Sequence, residues 1–207
     1  MELEDKKIYA IHISTAGEEM IRRLIATIIP CVGSDDFFAP QRTYYTRTSH
    51  KMRKHVKDLF PGYIFVKSND AEQLFFELKK VPEFTNLLHD GDYVFVSLNE
   101  NECKFVNLLC SLGLSEVRKT KGITRFILPC SRVEFISRDE VQPGDVIRER
   151  SNKDEVLRIL DGPLLKLNEY VSKINFKKRV AVLDKELCGE HEIHIGIRLP
   201  KDKYDVI

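Results

Sequence analysis

The chain has 207 residues, of which 43% are hydrophobic and 31% charged, and its formal net charge is +1. This length allows one or two domains, and the composition is that of a globular protein with a hydrophobic core. The charged start of the chain excludes a signal peptide and no apolar run reaches about 18 residues, so we expect a cytoplasmic protein without a membrane span.

The five cysteines indicate a reduced protein. They include no C-x-x-C pair, their number is odd, and four of the five lie in or beside apolar runs, where a free thiol behaves as a small hydrophobe. The cysteines are Cys31, Cys103, Cys110, Cys130 and Cys188.

The first part of the chain alternates between strand and helix patterns. KIYAIHI (7–13) predicts a strand. Residues 15–30 predict an amphipathic helix that Pro30 ends. A strand interrupted at Pro40 follows, and it leads into a basic loop.

The alternation continues to about residue 112. GYIFVKS predicts a buried strand, and the next segment predicts a helix that closes before Pro82. Residues 84–97 predict a hairpin, and a capping box of Ser97 and Glu100 predicts a further helix that ends at Gly113. This order of elements predicts an α+β sandwich.

The predicted loop at 41–57 is strongly basic and contains no acidic residue. Such a segment on a nearly neutral protein predicts contact with a polyanion, and a solvated loop is the alternative. Its basic residues are Arg42, Arg47, Lys51, Arg53, Lys54 and Lys57.

From about residue 126 the chain shows only short strand patterns separated by turn residues, which predicts a small β-barrel. The patterns are RFIL, RVEFI, DVIRE, VLRIL, EYVSKI, RVAVLDKEL and EIHIGIRL. We therefore expect a first domain at 7–112, a linker at 113–140 and a barrel at 141–200.

Two stretches resemble known domains. LFPGYIFV, behind a basic loop and ahead of a helix ending KKVPEF, resembles the N-terminal (NGN) domain of NusG-type transcription elongation factors. DGPLLKLNEYVSKINFKKRVAVLDKELCGEHEIHIGIRL is similar to a KOW domain, a small β-barrel. Within the family, the TAGEE start and the GPL…KIN-x-x-KR pattern are most similar to LoaP-type specialised paralogues, which are antiterminators.

The resemblance implies that the first domain binds the clamp helices of RNA polymerase's largest subunit through an aromatic-lined depression. Matched by position, the polymerase-binding candidates are Tyr9, Phe60, Tyr63, Val81, Pro82 and Phe84. A helix docked in such a groove requires an apolar pocket with a few aromatic anchors. A core role is the alternative for Tyr63, and for Phe65 we expect a core role.

The resemblance also implies contacts with nucleic acid. The basic segment would face the DNA of the transcription bubble, with Tyr44 and Tyr45 available either to stack on bases or to pack in a strand. In the KOW-like part a second cluster would contact a hairpin of the nascent RNA, unless it is a solvated hairpin tip. This cluster is Lys173, Phe176, Lys177, Lys178 and Arg179.

Two departures from the family pattern affect these expectations. The family often has Gly at the positions of Lys166 and Glu169, so we expect Asn168 to supply a left-handed residue there. Cys188 is smaller than the aromatic residue usual at its position, which argues against coupling to the ribosome.

No catalytic or metal-binding pattern is present. In HEIH (191–194), two histidines three apart on a strand point to opposite faces, which excludes a shared zinc ion. The sequence contains no phosphate-binding glycine loop, no acidic metal cluster and no supported thiol–histidine pair. We therefore expect a protein without enzyme activity, metal or cofactor.

The sequence predicts a specialised NusG-type elongation factor that promotes processive antitermination and is recruited by nascent RNA. A general NusG-type elongation or pausing factor is the alternative within the class. A KOW RNA-binding protein of ribosome assembly is the alternative outside it.

Overall fold

The computed structural model describes residues 6–12, 33, 36–47, 52–80, 89–90, 94–95, 97–120, 122–149, 154–184 and 192–200. The chain divides into two compact units. Unit 1 comprises Met1–Pro40 and Phe60–Phe126, and unit 2 comprises Gln41–Leu59 and Ile127–Ile207. The described residues form mixed sheets with few helices, which confirms the predicted α+β class.

Fourteen strands lie in the described part of the chain. They are β1 (Lys7–His12), β2 (Phe37–Arg47), β3 (Met52–Asp58), β4 (Tyr63–Ser68), β5 (His89–Asp90), β6 (Val94–Phe95), β7 (Val117–Thr120), β8 (Ile123–Leu128), β9 (Ser131–Ser137), β10 (Val146–Arg148), β11 (Glu155–Asp161), β12 (Val171–Asn175), β13 (Val180–Leu183) and β14 (His194–Arg198). The α-helices of this part are α1 (Ala71–Leu78), α2 (Glu100–Leu112) and the single turn α3 (Leu164–Leu167).

The sheet of unit 1 has the order β1-β4-β2-β8-β7, and β3 pairs with the part of β2 that belongs to unit 2. β1 and β4 are antiparallel, with Tyr9 opposite Val66. The predicted strand at 7–13 is confirmed over its described residues, Lys7–His12, and the buried strand at GYIFVKS is confirmed as Tyr63–Ser68. Both are rich in buried β-branched and aromatic side chains, which suit a sheet covered on both faces.

The two helices in the described part of unit 1 both begin at capping residues. The Asp70 carboxylate accepts a hydrogen bond from the Gln73 N–H at 2.8 Å and caps α1. At α2 the reciprocal capping box joins Asn99 and Glu102, so the predicted box of Ser97 and Glu100 was wrong by two residues. The predicted end of this helix at Gly113 is confirmed.

The basic segment is not a loop. β2 and β3 are antiparallel strands paired from Gln41 opposite Asp58 to Arg47 opposite Met52. β2 also continues through Pro40 without the expected interruption. Phe37 and Phe38 pair with β4 and pairing with β3 starts at Gln41, so Pro40 lies between the two sets of pairs, where the missing N–H is tolerated.

Unit 2 contains a six-stranded sheet of order β10-β11-β9-β14-β13-β12, in which β9 and β14 are parallel and the other pairs antiparallel. β10 and β12 are its edge strands. The Arg148 guanidinium on β10 donates to the Val171 carbonyl on β12 at 2.7 Å and to the Asn168 carbonyl at 2.7 Å. One side chain therefore joins the two edges of the sheet.

The segment 113–140, which we expected to be a linker, contains β7, β8 and β9. β7 and β8 form a hairpin around Gly122, whose φ of 76° suits a tight turn. The polar, basic residues that suggested a linker are the exposed part of that hairpin. The division into functional domains at 7–112 and 141–200 stays a prediction.

Other expectations have different outcomes. Asn168 is right-handed, with φ −57° and ψ −40°, so the expected left-handed residue was wrong; α3 provides the turn there instead. The predicted helix at 15–30 lies outside the described residues. Among the residues that the structure describes, no helix is both long and apolar enough to span a membrane.

Candidate nucleic-acid interface

The register of β2 and β3 sorts the basic residues onto two faces of the hairpin. Because side chains alternate along a strand, Arg42 and Tyr44 share one face with their cross-strand partners Lys57 and His55. Thr46 and Arg53 extend the same face. We call this set of six residues the basic face.

The Tyr44 ring organises the basic face. It stacks on the His55 ring, with the centroids 5.1 Å apart. The Lys57 ammonium and the Arg42 guanidinium lie 5.3 and 5.4 Å from the centre of the Tyr44 ring. Cation–π contacts of this kind hold both charges close to one aromatic surface.

The other face of the hairpin packs within unit 2. The Cys130 thiol donates to the Thr43 carbonyl at 3.2 Å, and the Arg198 guanidinium lies 5.5 Å from the centre of the Tyr45 ring. A Cβ on Gly196 would lie 2.2 Å from the Thr43 oxygen, so only glycine permits this approach of β14 to β2.

A groove of about 640 Å³ runs between the hairpin and the turn from β12 to β13. Both sides of the groove belong to unit 2. Residues 44 to 47 line it consecutively, which places the groove along the edge of β2 rather than over one face. The residues that line this groove are Arg42, Tyr44, Tyr45, Thr46, Arg47, Met52, Lys177, Lys178, Arg179, Val180 and His194.

Arg42 has a buried donor beside this groove. Its Nη1 is inaccessible to solvent and has no hydrogen-bond acceptor among the described residues. Burial lowers the pKa of Arg42, against the opposing influence of Tyr44 and Cys130. Arg42 nevertheless lines the groove, where its guanidinium is suited to an anionic oxygen through charge-assisted hydrogen bonds.

The turn between β12 and β13 is held by its own hydrogen bonds. The Asn175 side chain accepts from the Lys178 N–H at 2.9 Å, and the Arg179 guanidinium donates to the Phe176 carbonyl. Arg179 adopts φ 55°, the left-handed conformation that the sequence analysis had assigned to Asn168. These contacts fix where Lys177 and Lys178 emerge.

The structure brings together only part of the predicted nucleic-acid set. Arg42, Arg47, Lys177, Lys178 and Arg179 line one groove. Five other candidates are described but lie outside the groove lining: Arg53, Lys54, Lys57, Lys173 and Phe176. Lys51 lies outside the described residues.

Two of the candidates outside the lining are engaged elsewhere. The Lys173 ammonium pairs with Glu192 at 3.3 Å, and the Phe176 ring packs 5.0 Å from the Phe135 ring. Their contribution to nucleic-acid binding stays a prediction. The groove lining also includes four residues that the sequence did not indicate for this site: Thr46, Met52, Val180 and His194. Only the pairing register of the strands could have identified them.

The polymerase-binding candidates that the structure describes, Tyr9, Phe60 and Tyr63, belong to unit 1. Phe60 and Tyr63 flank a tight turn in which the Tyr63 N–H donates to the Phe60 carbonyl at 3.1 Å and Gly62 has φ 84°. Tyr9 is 4% exposed and Phe60 9%, and the Phe60 ring packs edge-on against Phe65. Both candidates are buried in the core, and their role in binding polymerase stays a prediction; the expected core role of Phe65 is confirmed.

Tyr63 remains partly exposed, and its ring lies 4.9 Å from that of its cross-strand partner His12. Its role in binding polymerase stays a prediction. Val81, Pro82 and Phe84 lie outside the described residues.

Residues 6–107 match the family model described as "Transcription termination factor nusG". The matched range includes both strands of the basic hairpin and the Phe60–Tyr63 turn. The comparison with curated proteins gave no match. Residues 6–107, slightly less than half of the chain, are therefore similar to the NusG family.

Proposed function

We propose that this protein is a specialised NusG-type transcription elongation factor that binds RNA polymerase and promotes processive antitermination. The observation that carries the proposal is the NusG-family match over residues 6–107. NusG-family proteins bind RNA polymerase, and we infer the same partner and a cytoplasmic location for this chain. The protein would act by binding, without catalysis, metal or cofactor.

Unit 1 would bind the clamp helices of the polymerase. Tyr63 is our candidate anchor because it is aromatic, only partly buried and next to a rigid Pro-Gly turn. Binding of this kind favours elongation only if the factor prefers the elongating state of the enzyme to the paused state, since a ligand shifts an equilibrium through its differential affinity.

The part of unit 2 at residues 141–200 would act as the KOW-type barrel that recognises a hairpin of the nascent RNA. Two features support this role. The Arg148 side chain on β10 bonds to β12, so the two edge strands of the sheet lie close together, as in a closed barrel. Basic residues also cluster around the β12–β13 turn. A contact to RNA in addition to the polymerase contact raises the effective concentration of the factor at its target. We propose a LoaP-type paralogue on the sequence patterns given above.

Single-round transcription by purified bacterial polymerase through an intrinsic terminator tests the proposal. One template carries the leader of the neighbouring operon, and a control template lacks it. Readthrough that rises only with the leader is the expected result. A leader-independent change would indicate a general elongation factor, and the absence of polymerase binding would favour a role in ribosome assembly.

The polymerase contact is tested with Tyr63→Ser in a pull-down of polymerase by the full chain. Phe76→Ser is the matched control, because Phe76 is an exposed aromatic residue on α1 of the same unit, 61% accessible. We expect Tyr63→Ser to weaken binding and Phe76→Ser to leave it unchanged. Equal binding by the folded Tyr63→Ser variant would exclude this anchor.

A further inference from the structure

We propose that the groove of unit 2 is one site for a short run of unpaired RNA nucleotides, held jointly by the edge of β2 and the β12–β13 turn. The inference rests on the proposed function in taking RNA as the ligand. It differs from the sequence-based expectation, which assigned the two basic segments to separate ligands, bubble DNA and nascent RNA.

The charge of the groove fits a nucleic-acid backbone. Of its lining residues five are Arg or Lys and none is acidic, although the chain as a whole is nearly neutral. Arg42 and Arg47 lie on the β2 side, and Lys177, Lys178 and Arg179 on the turn side. A single strand between them would meet cations on both sides, which is the arrangement that tracks a phosphate backbone.

Arg42 indicates where a phosphate would bind. Arg42 is half-buried and lines the groove, and its guanidinium lies against the Tyr44 ring, which holds it on the β2 side. A phosphate oxygen in the groove would accept a charge-assisted hydrogen bond from the accessible part of this guanidinium.

The aromatic residues fit unpaired bases rather than a duplex. Tyr44 and Tyr45 are consecutive in the lining, and each contacts an arginine. Splayed bases stack on such rings, whereas bases inside a helix are not accessible to them. The volume of about 640 Å³ falls within the range of roughly 300–1,000 Å³ typical of small-molecule pockets, so it would hold a few nucleotides and no more.

The two sides of the groove are held in place before any ligand arrives. Gly196 on β14 approaches the backbone of Thr43, and Cys130 donates to the same Thr43 carbonyl. β14 in turn pairs with β13, which begins just after the basic turn. A preorganised site loses less conformational entropy on binding.

Fluorescence anisotropy with the full chain and a fluorescein-labelled 12-nucleotide RNA of mixed sequence tests the inference. Arg47→Gln changes the β2 side, and Lys178→Gln changes the turn side. Lys166→Gln is the matched control, because Lys166 is exposed on α3 of unit 2 and does not line the groove. Circular dichroism at each temperature used verifies that every variant is folded.

Each groove variant should lower the affinity and reduce the slope of log K against log salt by about 0.7, the value for one phosphate contact on a single strand. The double variant should reduce the slope by about 1.4, and Lys166→Gln should leave it unchanged. A loss confined to one side of the groove would overturn the shared site, and so would an equal loss in the control.

Three further probes test the ligand class. DNA of the same sequence, an RNA duplex and a polyglutamate peptide should all bind more weakly than the single-stranded RNA. Stronger binding of any of them would overturn the assignment to unpaired RNA. The transcription assay separates this inference from the proposed function: leader-dependent readthrough that is unaffected by the double variant would retain the function and exclude the groove.

Discussion

Gly196 of β14 and Thr43 of β2 pack backbone against backbone. A Cβ on Gly196 would lie 2.2 Å from the Thr43 carbonyl oxygen and 2.6 Å from the Cys130 sulfur. We expect Gly196→Ala to force the hairpin away from β14 and to lower the free energy of unfolding by about 1–3 kcal/mol, the usual range for overpacking. Urea unfolding followed by circular dichroism measures this loss.

Gly144→Ala is the control for the change in stability that replacing any glycine with alanine can cause. A Cβ on Gly144 meets no atom of the described residues within 4 Å, and its φ of 93° is strained for alanine, so this variant reports backbone strain. Only Gly196→Ala should also increase the reactivity of the Cys130 thiol towards alkylation. If the Cys130 thiol is equally protected in both variants, the close approach does not hold the hairpin in place.

The half-buried thiols of Cys110 and Cys130 should be poorly reactive in the native protein. Burial raises the pKa of Cys110 to about 12 and that of Cys130 to about 12, in the second case despite Arg198, Arg42 and Lys54 nearby. Because the thiolate is the nucleophile, iodoacetamide at pH 8 should modify both far more slowly than in the urea-unfolded chain. Mass spectrometry of the peptides distinguishes each site.

The same pKa shifts predict the direction of a pH effect on stability. The unfolded chain loses these thiol protons from about pH 9, whereas the folded chain keeps them to about pH 12. The unfolded state therefore binds fewer protons in this window, and stability should fall as the pH rises through it. Replacing both cysteines with alanine should reduce that fall; an identical pH dependence would assign it to other groups.

The capping box of α2 should contribute measurably to the stability of unit 1. The Asn99 side chain accepts from the Glu102 N–H at 2.9 Å, and the Glu102 carboxylate accepts from the Asn99 N–H at 2.7 Å. Asn99→Ala should lower the free energy of unfolding by about 1 kcal/mol. Asn101→Ala, at an exposed position in the first turn of the same helix, is the control and should have no such effect in thermal unfolding.

Arg148 and Arg138 should differ strongly in their effect on unit 2. Arg148→Met removes two charge-assisted hydrogen bonds to carbonyls and leaves those acceptors without their partner, so we expect a loss of about 2–3 kcal/mol. Arg138 forms an exposed ion pair with Glu149, and pairs of this kind contribute little. Similar urea midpoints for Arg148→Met and Arg138→Met would show that Arg148 does not hold the sheet edges together.

Alternating strand patterns were informative where turn residues separated them. Each of the seven short patterns of the C-terminal part contains a strand in its described residues, because period-two burial and intervening Gly, Pro or Asn act over a few residues. The segment 41–57 was wrongly predicted to be a loop, because its many basic residues obscured the alternation of buried and exposed side chains along the two strands. Met52, Lys54 and Val56 lie on one face of β3, and Arg53, His55 and Lys57 on the other.

The set of residues that line the groove could not be predicted from the sequence. Arg47 and Lys178 are far apart in sequence, and their proximity depends on the approach of β14 to β2, which Gly196 permits. The single glycine in EIHIGIRL does not indicate from the sequence that it packs against Thr43. Likewise, the core roles of Tyr9 and Phe60 follow from packing around them, while their residue types fit a core and an interface equally well.

Because unit 2 is built from two segments that are distant in sequence, it cannot fold completely until late in translation. Gln41–Leu59 leaves the ribosome early, yet its packing partners begin at Ile127. At a translation rate of about 5–20 residues per second, several seconds pass between the synthesis of this cationic hairpin and that of the strands that cover one of its faces. During that interval its uncovered side is open to off-pathway pairing and to chaperones, so synonymous changes that alter translation speed between codons 60 and 126 should affect the yield of native protein.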